Sequence, residues 1–197
     1  MQVPASKRYI LGSLTFELGL AARTPLRRLD RMRPHLEALA QETGHTAYMV
    51  MRTGDEAVCL HVADGSYPIR TRTFEAGQRR PLGTGAAGLA LLSALPEEDA
   101  QAITNRNDLR LRSFKLSEAA VLQRLERARV SGAISQSPIT EGVTSVAVVV
   151  PTQVGFPYLA LSVSAISIRI TESRMSSLWK SLNRTARRLA AIEASGG

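Results

Sequence analysis

Between residues 29 and 63 the spacing of the apolar residues changes period, and this change constrains the fold most. Leu29, Met32, Leu36, Leu39 and Ala40 recur at helical spacing, and Gly44 closes the run. From there TAYMVMR (46–52) and AVCLHVA (57–63) alternate with period two, the signature of half-buried strands. Gly54-Asp55 between them predicts a hairpin. An amphipathic helix running straight into a hairpin points to helices packed on an antiparallel sheet rather than to a parallel βαβ repeat.

The rest of the chain extends that reading. Residues 9–20 predict a short helix, and Pro25 suits the first turn of the next. A third short strand is expected near Ile69–Thr73. Residues 84–94 predict a helix opening on small residues, and Pro96-Glu97-Glu98-Asp99 starts another with acids in its first turn. Ser117 is placed to cap a helix that Gly132 stops. Strands are expected at AISQS (133–137), SVAVVVP (145–151) and YLALSVSA (158–165). A final helix from Thr171 carries the stripe Met175, Leu178, Trp179, Leu182, Ala186 and Leu189. The fold class is therefore α+β, with a mainly antiparallel sheet flanked by helices. With 197 residues, 44% of them hydrophobic, one domain with a real core is expected.

Composition excludes several roles. The formal net charge is +8, but the arginines are spread along the chain instead of forming one reading motif. The basic side of RTPLRRLDRMR, with Arg27, Arg28 and Arg31, reads as a solvated helix face or a subunit contact. Aromatic residues make up 5%, too few for a stacking platform on single-stranded nucleic acid. The single cysteine, Cys59, fits a reducing, cytoplasmic setting. No apolar run is long enough for a membrane span. His35, His45 and His61 form no metal-ligand spacing, so neither metal nor cofactor is expected.

Two segments carry candidate chemistry. GTGAAG (83–88) resembles a phosphate loop, but Leu89 stands where a P-loop needs its lysine, and RRPL before it reads as a poor strand for a dinucleotide fingerprint. The segment reads as a tight turn into a closely packed helix, whose free N–H groups can hold a carboxylate or another polar head. In YLALSVSA, Ser162 and Ser164 are two apart and share one face, with Leu161, Val163 and Ala165 on the other. That serine face is either solvated or lines a polar pocket, and Ser145 opens the strand before it. No G-x-S-x-G elbow surrounds any serine. Cys59 and His61, two apart on one strand, are expected on one face, with an inert, buried Cys59 favoured over a catalytic pair.

The ordered segments YILGSLTFELG (9–19), RPHLEALAQETGHTAYMVM (33–51), RRPLGTGAAGLALLSALP (79–96), ITEGVTSVAVVVP (139–151) and YLALSVSA resemble the effector-binding domain of the IclR family of bacterial transcriptional regulators. The resemblance runs from about Tyr9 to Leu189. It implies a GAF-like fold with a curved sheet and a non-catalytic, small-molecule sensing and oligomerising role. It implies residues 1–24 as the remnant of a connector helix from a winged helix-turn-helix module, 25–193 as the effector domain and 194–197 as a tail. The chain would then be an excised domain or a truncated protein, and would reach DNA only through that N-terminal module.

The resemblance further implies a homodimer or homotetramer and a small organic acid or aromatic metabolite as effector. The family's helix-start backbone groups map to Thr84, Gly85 and Ala86, and its strand serines to Ser162 and Ser164. Some carboxylate-binding members carry an acid at the position of Ser135 and a cysteine at that of Ser145; both are serine here. Gly83 replaces the family's histidine, and Leu89 follows Gly88 where a lysine is common. Two rival readings stand beside the sensor: a small hydrolase or transferase using Ser145 or Cys59, and a ligand-free structural dimerisation domain.

Overall fold

The computed structural model describes residues 13–21, 23–136, 140–153 and 155–195. The elements run α1 (Ser13–Ala21), α2 (Arg23–Thr43), β1 (Thr46–Thr53), β2 (Glu56–Ala63), β3 (Arg79–Pro81), α3 (Gly85–Ser93), α4 (Glu97–Arg106), α5 (Asp108–Arg112), α6 (Glu118–Ser131), β4 (Ala133–Gln136), β5 (Val143–Val149), β6 (Leu159–Ile166) and α7 (Glu172–Ala194). The sheet has six strands in the order β3-β2-β1-β6-β5-β4. Every pairing among them is antiparallel. The curved sheet and its flanking helices make the α+β architecture expected from the period change.

Strand alternation sorts the two faces. Ala47, Met49, Val146, Val148, Leu161 and Val163 project to one side and bury against Met32, Leu36 and Leu39 of α2 and Leu178, Leu182 and Leu189 of α7. Removing each such leucine from water contributes about 1.5–3 kcal/mol. The other face presents smaller or polar groups and packs against α3, with α6 and α4 behind it. Ala86, Ala87, Leu89, Ala90, Leu91 and Leu92 are all buried, so α3 is covered on every side and lies close on the strands.

Local signals place the ends. Ser117 Oγ accepts from the Ala120 amide, as a cap should, and Gly132 ends α6. Thr171 precedes α7, and the β1–β2 hairpin turns on Gly54-Asp55, with Thr53 opposite Glu56. Residues 9–12 of the expected 9–19 match lie outside the described set, as do Ser137 and the last two residues of the tail.

Three expectations are corrected. Residues 69–73 form no strand; their polar groups are met by side-chain bonds instead of a ladder. RRP is a strand after all: Arg79–Pro81 pairs with Glu56–Val58 at the sheet's edge, where a proline's missing N–H is tolerated. Cys59 and His61 do not share a face. The register slips at Leu60, so that Val50 faces Cys59 while Met49 faces His61. Cys59 then joins the core on the α3 side, and His61 Nε2 lies 3.7 Å from Glu37 Oε1 of α2. On the basic side of α2, Arg28 Nη1 lies 3.7 Å from Glu193 Oε2 of α7.

Candidate functional site

A small cavity of about 40 Å³ lies between the start of α3 and the α3-facing side of the sheet. Thr84, Gly85 and Ala86 form its helix side, and Ser145, Ser162 and Ser164 its floor. Six of the seven residues expected at the site thus meet in one place. The seventh, Ser135, sits on β4 in register with Ser145; its side chain lies outside the described residues.

The floor is built by register. Ser135 pairs with Ser145, Ser145 with Ser164, and Ser164 with Thr46, giving a row of hydroxyl residues across four strands. One step along, Ala147, Ser162 and Tyr48 form a second row. The alternative of a solvated serine face is ruled out, since Ser162 and Ser164 are 4% and 2% exposed. Ser145 and Ser164 hydrogen-bond each other through their hydroxyls.

The helix end supplies a different kind of group. Thr84 stands at the N-cap of α3 in extended conformation, but its hydroxyl donates to the Pro81 carbonyl, 2.7 Å away, and caps nothing. The first-turn N–H groups therefore lack a side-chain cap, which leaves the positive end of the helix dipole at the cavity. Gly83 has φ +91°, and a Cβ there would fall 2.6 Å from Val121 Cγ1. Position 83 excludes any side chain in this packing.

The remaining walls were not foreseen. Tyr48 and Val50 come from β1, Thr73 and Phe74 from the loop before β3, and Arg80 from β3 itself. The loop is tied down by a short relay. Tyr48 Oη donates to the Thr71 carbonyl at 2.6 Å, Thr71 Oγ1 donates to the Ser164 carbonyl at 2.8 Å, and the Thr73 amide donates to Tyr48 Oη at 3.0 Å. Burial raises the Tyr48 phenol above its ordinary range, only partly opposed by its bonds to Thr73, so it stays a neutral donor and acceptor. Tyr48 was legible from the alternation of TAYMVMR; Phe74 lies in a loop without periodicity and gave no signal.

Among the described residues the cavity assembles no pair of nucleophile and base. Ser145 has a serine beside it, not a histidine. Burial pushes the Cys59 thiol up to about 12, and the thiol donates weakly to the His61 carbonyl at 3.7 Å. Among the described residues no group of three or more His, Cys, Asp or Glu is placed to hold a metal ion. A larger cleft of about 310 Å³ opens beside α7, lined by Glu42, His45, Arg169 and Arg174. It shares no residue with the serine floor.

Comparison with known proteins assigns the chain to a family. Residues 22–191 match the family described as Bacterial transcriptional regulator IclR C-terminal. The transcriptional repressor AllR of Klebsiella pneumoniae is 31% identical over 160 residues, covering 80% of this chain and 58% of the repressor. The transcriptional regulator KipR of Bacillus subtilis is 33% identical over 107 residues, covering 53% of this chain and 42% of that protein. The chain spans about half the length of the curated relatives it matches. The crystal structure of a putative IclR transcriptional regulator from Silicibacter sp. superposes with a TM-score of 0.83 at 23% identity, covering 100% of this chain and 78% of that one. No described helix is long and apolar enough to cross a membrane. With the family match running over nearly the whole fold, the chain belongs to the C-terminal, regulatory domains of the IclR family of bacterial transcriptional regulators.

Proposed function

We propose that this domain senses a small organic acid or aromatic metabolite in the cavity between α3 and the sheet. The observation that carries this reading is the convergence of an uncapped helix start and three buried serines on one small cavity. A structural domain gains nothing from burying hydroxyls opposite unfilled N–H donors, which core packing would replace with apolar groups.

At about 40 Å³ the cavity is far smaller than the roughly 300 Å³ and upward of typical ligand pockets. The effector therefore enters by lifting the cover formed by residues 71–74. The relay through Tyr48 and Thr71 links that cover to the backbone of β6, so occupancy of the cavity is felt by the sheet. In a dimer or tetramer of a longer chain, this change would reset the spacing of attached DNA-binding modules. On this reading residues 1–24 are connector, 25–193 the GAF-like effector domain and 194–197 a tail, working in the cytoplasm.

A thermal-shift screen with small carboxylates and aromatic acids, followed by calorimetry, tests the proposal. A saturable ligand whose binding is lost in the Ser162→Ala, Ser164→Ala double variant is expected. Saturable binding that survives this double variant would sink the cavity as the sensing site. The absence of any saturable ligand across a broad metabolite set would favour a purely structural dimerisation role.

A further inference from the structure

Of the described residues lining the cavity, only Arg80 carries a full charge. Strand alternation separates it from its neighbour. Arg79 turns outward, where its Nη2 lies 2.6 Å from Glu56 Oε2. Arg80 pairs in register with the buried Ala57 and turns inward. Its guanidinium lies over two rings, 4.5 Å from the centroid of Phe74 and 5.7 Å from that of Phe114. Its Nη2 donates to the Thr73 carbonyl.

Among the described residues no carboxylate lies within ion-pair distance of Arg80. The acid on the neighbouring loop, Glu75, is 3.7 Å from Arg72 Nη1. A guanidinium has five N–H donors and no acceptor, and a half-buried one without an anion is costly. Burial accordingly holds Arg80 below its ordinary range, only partly offset by the nearby Tyr48 and Cys59, and no carboxylate contributes. The other polar groups of the cavity are hydroxyls and the positive end of a helix. None of them is acidic, and all of them tolerate or favour an anion.

We propose that Arg80 selects the charge of the effector, its planar fork holding a carboxylate that the serine floor and the start of α3 then surround. The inference rests on the cavity being the effector site, and it excludes cationic and uncharged effectors. The aromatic pair keeps the fork oriented before the ligand arrives, so little ordering remains for binding to impose.

The test is calorimetry on the full chain with matched carboxylates and amides: acetate and acetamide, propanoate and propanamide, benzoate and benzamide. At least one carboxylate is expected to bind about tenfold or more tightly than its amide, the scale of one charge-assisted hydrogen bond. In Arg80→Gln that preference should shrink to within about threefold, and in Arg80→Lys part of it should return. Should Arg80→Gln not fold, Arg80→Met serves instead, since it keeps the apolar stem beside Phe74. Equal binding within every pair overturns the inference. So does a carboxylate preference that survives the loss of Arg80; if the Ser162→Ala, Ser164→Ala variant still abolishes binding, the cavity reading stands without it. Binding untouched by the serine substitutions removes the cavity reading itself, and the inference with it.

Discussion

The hydroxyl of Ser145 on β5 and that of Ser164 on β6 hydrogen-bond each other in direct register, buried beneath α3. One residue donates and the other accepts, and the pair forms part of the cavity floor.

Removing one hydroxyl leaves its partner in a site with little access to water. Ser145→Ala and Ser164→Ala should each destabilise the domain by about 1–2 kcal/mol, and the double variant by less than their sum. A coupling of about 1 kcal/mol is expected from urea unfolding of the four proteins in the cycle. Additive costs would mean that the two hydroxyls do not depend on each other.

Gly132 carries a second constraint. It ends α6 with φ 87° and ψ 163°, a conformation almost confined to glycine. A Cβ there would also fall 2.5 Å from Trp179 Cη2 on α7. Gly132→Ala should lose about 1–3 kcal/mol from the backbone alone, and more from the displaced ring. Trp179 is the sole tryptophan, so its fluorescence reports the displacement directly. An unchanged spectrum and unfolding midpoint would refute this packing.

Cys59 offers a check on the catalytic alternative. Burial pushes its thiol up to about 12, and thiolate is the reactive form. Alkylation of the native protein by iodoacetamide at pH 8 should be slower than in the urea-unfolded chain by at least about 100-fold, tracking global opening. Rapid native labelling would reinstate Cys59 as an accessible nucleophile.

Period decided how much of this was legible in the sequence. Helical spacing in α2 and α7 and strict alternation in YLALSVSA specify which side of each element meets the core, so the two faces of the sheet follow from pattern alone. That Ser162 and Ser164 share a face followed too, because they are two apart, but the pattern alone left open whether that face met solvent or a pocket. Features without a period did not. β3 is three residues long and ends in proline, which hid both the strand and the inward turn of Arg80. The slip at Leu60 depends on the partner strand, and no single-strand pattern separates Cys59 from His61. Phe74 reaches the cavity on a loop held by tertiary hydrogen bonds, an arrangement set by Tyr48 and Thr71 together.

His45 makes the acid sensitivity of the fold specific. It is buried at the start of β1, edge-on to Tyr67 with ring centroids 5.9 Å apart. Burial lowers its affinity for a proton, and the nearby Arg169 and Arg174 lower it further. The folded state thus protonates His45 at a lower pH than the unfolded chain does. Between those two values the unfolded state binds more protons, so stability rises with pH there. The contribution is complete above the unfolded value of about 6.5 and is lost as pH falls through the folded one. Glu42, held low first by Arg184 and then by Ser181, and Asp64, held low by Arg72, follow the same sign. Their loss begins only below about pH 4.5, where an unfolded carboxylate starts to protonate. Urea midpoints measured from pH 7.5 down to 5 should therefore fall in the parent protein and fall less steeply in His45→Gln. Parallel slopes would assign the sensitivity of that window to another group.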